Sequence, residues 1–155
     1  GPPLGPPAVV GALTRQHFER AALELHTDLA DTPYLVQPAL LGSRRQQEAG
    51  YKGLDAPPCD VSLPSCRLFP ETGLTVGGAF LSFWEREGGL AVFGYPVSAE
   101  FQAVAADGQV RTVQRFERAV FAYYPEDSSV RLEPLGWADL LRTRAQAPTL
   151  PHQVR

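Results

Sequence analysis

At 155 residues, with 14 basic and 17 acidic side chains giving a formal net charge of −3, the chain is sized for one domain or two small repeat units. It is too short for a barrel enzyme or a two-domain dehydrogenase. The charge signs are mixed, so no basic stripe is offered to a phosphate backbone, and no apolar run approaches the roughly 18 residues a membrane helix needs. Neither a nucleic-acid partner nor membrane insertion is expected.

Ile, Met and Asn are absent and Lys52 is the only lysine, the signature of a GC-rich genome. Eight Phe and five Tyr persist against that bias, which marks them as retained for packing or binding. The lack of Met leads to the expectation of a processed product or a fragment, and a removed secretory signal accounts for it as well as a cloned piece does.

In chain order, residues 1–42 read as a partial repeat unit. Gln16-His17-Phe18-Glu19-Arg20-Ala21 matches Gln114-Arg115-Phe116-Glu117-Arg118-Ala119 at five of six positions. Upstream, Leu4-Gly5-Pro6-Pro7 aligns with Phe93-Gly94-Tyr95-Pro96, and downstream Leu41-Gly42 aligns with Leu135-Gly136. Residues 43–68 are rich in Gly and Pro with poor periodicity and read as a linker. Within it Cys59 and Cys66 close a short loop, which favours a disulfide and an oxidising compartment over two free buried thiols or a metal ligand pair. No metal site and no cofactor are expected, because His17, His26 and His152 are scattered.

Residues 69–142 read as a full repeat unit. Val76, Phe80, Phe83 and Trp84 recur at helical spacing, with Thr75 as candidate N-cap and Gly88-Gly89 as the stop. Phe101 to Val104 and residues 110–116 form the arms of a hairpin turning at Asp107-Gly108, followed by strands at Val120 to Tyr124 and 130–132. Val110, Thr112, Gln114 and Phe116 share one face; Arg111, Val113 and Arg115 share the other. A short helix is expected at 137–142 and an extended tail over 143–155. The fold class is therefore α+β: tandem small units, each an antiparallel β-meander, one of them covered by an amphipathic helix. The first unit has no counterpart of residues 69–88, so its apolar sheet surface stays wet or takes cover from this chain or another one.

No nucleophile elbow, phosphate-binding loop or metal motif occurs, and the chain does not read as an enzyme. Glu85, Glu87, Glu117, Glu126 and Asp127 could pair across a cleft as glycosidase carboxylates do, but read as solvated surface acids. Phe18, Glu19, Arg20, Phe116, Glu117 and Arg118 read as the structural repeat motif, with the two glutamates in ion pairs or backbone hydrogen bonds. Trp84, Tyr95, Tyr124 and Trp137 are the candidates for an aromatic platform that stacks on sugar rings; the competing reading is that they fill the core.

The motif string Phe69-Pro70-Glu71-Thr72-Gly73, Phe83-Trp84, Gly88-Gly89-Leu90, Phe93-Gly94-Tyr95-Pro96, residues 113–119, Tyr124-Pro125-Glu126 and Leu135-Gly136 resembles repeat modules of secreted and surface-attached bacterial proteins. Its Phe-Gly-Tyr-Pro element is similar to the LGFP repeat family. The resemblance covers residues 69–142 and, in part, 4–42, and implies an extracellular, non-catalytic role with cell-wall glycan contact. The expected function is a secreted structural protein that self-assembles at the cell surface as a homo-oligomer or polymer, such as an extracellular filament subunit. A cell-wall or polysaccharide-binding module is the alternative.

Overall fold

Short runs of alternating polarity separated by Gly, Pro and Asp turns build two meanders, and the computed structural model describes residues 1–55 and 57–146. The first is a four-stranded antiparallel sheet of β1 (Ala8–Val10), β2 (Leu13–His17), β3 (Ala22–Leu25) and β4 (Val36–Pro38), in that order. Helix α1 (Leu41–Glu48) follows, then an irregular segment to the hairpin β5 (Cys66–Phe69) and β6 (Leu74–Gly77). Helices α2 (Gly78–Arg86) and α3 (Gly89–Phe93) lead into the second meander, β7 (Phe101–Val104), β8 (Val110–Arg115), β9 (Val120–Tyr124) and β10 (Ser129–Leu132), and α4 (Leu135–Gln146) closes the described chain. The class is α+β with three antiparallel sheets.

Several sequence expectations shift. The boundaries at 42 and 142 fall inside α1 and α4, and residues 143–146 continue α4 as helix; of the expected tail, 147–155 lie outside the described residues. Thr75 lies in β6, where its hydroxyl accepts the Cys59 N–H (3.2 Å), and Gly77 caps α2 in its place. Gly88 and Gly89 do stop α2, at φ 115° and 56°. Cys59 and Cys66 form a disulfide with Cα atoms 5.8 Å apart, its loop held against β6 by the Gly78 N–H donating to the Ser65 carbonyl.

The two similar stretches, the copies, share hydrogen bonds, but the upstream register differs from the motif match. Pro3 bridges Phe18 as Pro96 bridges Phe116. The Leu4 N–H donates to the His17 carbonyl (2.9 Å) as the Val97 N–H donates to that of Arg115 (2.8 Å). Gly1-Pro2-Pro3-Leu4 is therefore the counterpart of Gly94-Tyr95-Pro96-Val97, and the similar Leu4-Gly5-Pro6-Pro7 is not.

The two copies cross over. Helix α1 follows the first sheet in sequence yet packs on the second, its Ser43 N–H donating to the Glu117 carbonyl (2.9 Å). Helix α4 follows the second sheet and packs on the first, its Trp137 N–H donating to the Glu19 carbonyl (3.1 Å). Contact is backbone to backbone: a Cβ on Gly42 would stand 1.8 Å from the Phe116 carbonyl oxygen, and one on Gly136 would stand 1.9 Å from that of Phe18. Neither glycine has positive φ, so close approach alone selects it.

Packing follows from this exchange. Ala22, Leu41, Val113, Val120, Ala122, Tyr124 and Leu135 form one apolar cluster where the copies meet. A second lies between α2, α3 and the opposite face of the second sheet, with Phe69, Val76, Phe80, Trp84, Phe93, Phe116 and Phe121. The Phe121 ring meets Phe93 edge-on at 4.8 Å and Phe83 at 5.0 Å, geometry that adds to the burial itself.

Asp139 of α4 locks the crossing. Its buried carboxylate accepts from Arg15 (2.7 Å) and His17 (3.0 Å) of β2, from Arg44 of α1 (2.6 Å), and from Arg142 one turn on. Burial pushes this carboxyl up, but the His17 hydrogen bond, Arg15, Arg142 and Arg44 outweigh burial and hold it below the ordinary aspartate value of 3.8.

Replacing Gly by Ala in a helix ordinarily stabilises by about 1 kcal/mol, but Gly42→Ala and Gly136→Ala should each destabilise by about 3 kcal/mol or more, because backbone must move; chemical denaturation checks the sign. Asp139→Ala should cost about 3 kcal/mol by stranding buried cations. Because the folded carboxyl titrates low, its contribution is complete above the unfolded value and fades as pH falls through the folded one. Acid titration of an Asp139→Asn chain should accordingly lose less stability below about pH 4 than the parent does.

Candidate functional site

The first sheet has two unlike faces. Arg15, His17, Ala22 and Glu24 point at α4 and are buried or nearly so. The other face carries Thr14 and Gln16 from β2, set opposite Leu25 and Leu23 of β3, which in turn pair with Val36 and Pro38 of β4. Phe18 and Val9 extend it. Phe18, Leu23 and Leu25 are half-buried, whereas Val36 is 52% and Val9 77% exposed.

The second sheet shows what covers the equivalent face. Gln114 pairs with Phe121 as Gln16 pairs with Leu23, and there β5, β6, α2 and α3 lie on top, leaving Phe116, Phe121 and Gln114 with no exposure. The polar contacts of that cover come from the repeated motif itself. Gln114 Nε2 donates to the Ser98 carbonyl (3.0 Å) and to the Thr75 carbonyl of β6 (2.8 Å). The Arg118 N–H donates to the Phe93 carbonyl (3.0 Å) and its guanidinium to the Leu90 carbonyl of α3 (3.0 Å). The Glu117 carboxylate accepts the Tyr95 N–H (3.1 Å).

In the first copy the same side chains stand without that cover. Gln16 Nε2 donates to the Gly5 carbonyl, the counterpart of Ser98, and finds no second acceptor among the described residues. Arg20 is exposed, 3.8 Å from the half-exposed Glu19. Phe18, Glu19 and Arg20 thus repeat the side chains of Phe116, Glu117 and Arg118 on a face that no β5, β6, α2 or α3 covers.

The four candidate platform aromatics are not brought into one strip. Trp84 is buried, its indole N–H donating to the Gly94 carbonyl (3.1 Å) and its ring edge-on to Phe69 (5.2 Å). Tyr95 touches the same Phe69 ring and reaches Glu71 with its hydroxyl (3.3 Å). Tyr124 lies on the opposite face of the sheet, buried between the guanidinium groups of Arg111 (3.8 Å) and Arg131 (4.0 Å). Trp137, on α4, is 46% exposed. The ring faces of Trp84 and Tyr124 are spent on packing, so the platform reading is corrected for those two.

His17 lies on the inner face of β2 as a buried partner of Asp139. Among the described residues no group of three or more His, Cys, Asp or Glu side chains could hold a metal ion, and no helix is long and apolar enough to cross a membrane. Sequence reasoning missed Gln16 and Gln114 as matched donors; their identity across the copies was the available signal. Compared with known protein families, with curated proteins and with solved structures, the chain matches none.

The difference between copies is measurable. Gln114→Ala should cost about 2 kcal/mol by leaving two buried carbonyls unpaired, whereas Gln16→Ala should change the stability of the dilute chain by less than about 0.5 kcal/mol. Equal costs in urea denaturation would contradict the assignment of Gln16 to an uncovered face.

Proposed function

We propose that this chain is a non-catalytic, secreted structural protein whose open sheet face is covered by another copy of the chain, so that copies join at the cell surface into an oligomer or filament. The observation carrying this reading is the pair of matched sheet faces. The Gln, Phe, Glu and Arg side chains that hold the covering elements in one copy have identical counterparts in the other, half-buried at Gln16, Phe18 and Glu19 and exposed at Arg20, with no such elements over them. An apolar sheet face with unused donors favours a partner that brings both apolar surface and backbone carbonyls.

Another copy of the chain offers apolar surface on its covering element, where Leu68, Leu90 and Val92 are 49%, 42% and 46% exposed. Contact between that element and the open face joins unlike surfaces. Such a heterologous contact propagates into a fibre unless its rotation closes a ring. The disulfide supports an oxidising, extracellular setting. The reading also accords with the resemblance to LGFP-like repeat modules of bacterial surface proteins.

Sedimentation of the purified chain over a wide concentration range tests the proposal. Species larger than the monomer are expected to grow with concentration. Leu23→Asp and Leu25→Asp, on the open face, should weaken assembly at least tenfold while leaving the fold intact. A single monomeric species at every concentration overturns the reading, and retention of that monomer on insoluble peptidoglycan would favour the wall-binding alternative, for which exposed Trp137 is the available aromatic surface.

A further inference from the structure

Three arginines are buried on the inner faces of the sheets, and their surroundings differ. Arg15 is paired with Asp139 (2.7 Å) and Glu24, and Arg111 with Asp107 (2.5 Å) and Glu126 (2.9 Å). Arg115, only 6% exposed, has no carboxylate within 4 Å among the described residues. Its one side-chain hydrogen bond goes to the neutral Gln46 carbonyl oxygen (2.5 Å), and its guanidinium stacks over Phe101 at 4.7 Å. A buried cation without an anion is costly, and a neutral amide offsets only part of that cost.

The internal repeat shows what is missing. Arg115 is the counterpart of His17, and His17 has its carboxylate from Asp139 on the crossing helix α4. Helix α1 crosses to the second copy in the same way, and with Leu41-Gly42 matching Leu135-Gly136 the position equivalent to Asp139 is Arg45. A second cation stands where the repeat would place the anion. Burial and the Arg45 charge both push the Arg115 guanidinium down from its ordinary value, the direction expected of a cation lacking its counter-charge.

Arg115 also borders a cleft of about 500 Å³ between α1, α4 and the second sheet. Its walls include Val113, Val120 and Leu135. Among the carboxylates of that cleft, Asp139 is occupied by Arg15, Arg44 and Arg142, Glu48 lies between Arg142 (3.2 Å) and the exposed Arg45 (4.0 Å), and burial pushes the Glu133 carboxyl up. None of them neutralises Arg115.

We infer that this cleft is a binding site for a carboxylate carried on a small apolar body, with the guanidinium of Arg115 gripping the carboxylate beside Arg45 and the apolar body lying against Val113, Val120 and Leu135. The guanidinium fork accepts carboxylate and phosphate alike, but the apolar walls favour a singly charged carboxylate on an apolar body over inorganic phosphate, whose further charge and strongly hydrated oxygens would lie unpaired against them. The ligand is a free short-chain acid or the carboxyl end of a peptide; both present the same group. The inference is independent of assembly through the open sheet face.

The test is an NMR titration of the intact chain, following the Arg115 side-chain N–H, with sodium butyrate, N-acetyl-leucine and inorganic phosphate. Butyrate should give saturable shifts with a Kd on the order of 1–10 mM. Tighter binding of N-acetyl-leucine assigns the site to a peptide end, and weaker binding assigns it to a free acid. Arg115→Met should raise the Kd at least tenfold. Arg45→Asp, at a largely exposed position, supplies the carboxylate that the repeat omits; it should raise the melting temperature and abolish butyrate binding even if Arg115→Met does not fold. The inference is overturned if butyrate leaves Arg115 unshifted, if phosphate binds as tightly, or if Arg45→Asp changes neither stability nor binding.

Discussion

A helix backbone lying so close to a turn that no methyl group fits between them is the contact on which this molecule depends. It occurs twice, at Gly42 against Phe116 and at Gly136 against Phe18, and each time the helix belongs to the other copy. Because the exchange is reciprocal, neither meander is complete without the helix that follows its sister. The two meanders thereby pack as one body, with the Asp139 carboxylate drawing Arg15, His17, Arg44 and Arg142 from three elements to the seam.

The crossing fills the inner face of each sheet and leaves the outer faces to other elements. On the second sheet the outer face lies under β5, β6, α2 and α3, where Gln114 fastens β6 and Arg118 fastens α3 through carbonyl oxygens. On the first sheet, Gln16 and Arg20 hold the same donors in the same frame over Phe18, Leu23 and Leu25. Imperfect symmetry likewise governs the seam: Asp139 neutralises one copy's cations, whereas its counterpart Arg45 adds to the other's. In both places the repeat defines what a complete site contains, and the less complete copy indicates the chemistry that would finish it.

Much of this was legible in the chain, and the exceptions have physical causes. The hairpin at Asp107-Gly108 and the alternation through β8 were readable because turn chemistry and burial pattern agree there. Helix α1 was hidden: only Leu41, Gly42 and Gln46 are buried, since it packs through a bare backbone and not through an apolar stripe. The start of α2 was misread because the Thr75 hydroxyl serves Cys59 and not a helix end. The upstream register slipped because Gly-Pro-Pro occurs twice in the first seven residues and only hydrogen bonding to His17 and Phe18 separates the two. Local signals carry no trace of which sheet a helix will choose, so the crossing, and with it the Asp139 cluster, was beyond sequence reading. The open face was readable as the lack of a counterpart to residues 69–88, while the donors on it needed the covered copy for comparison.

The central claim is that the outer face of the first sheet is a contact surface between chains. It is tested most directly by placing a single thiol there, as Leu25→Cys, and measuring its rate of maleimide labelling as protein concentration is raised. The account predicts labelling that slows with concentration as the face becomes covered, with an unchanged rate for a thiol placed at exposed Ala106 on the far meander. A Leu25→Cys rate that stays fast and constant from dilute to concentrated solution would contradict it.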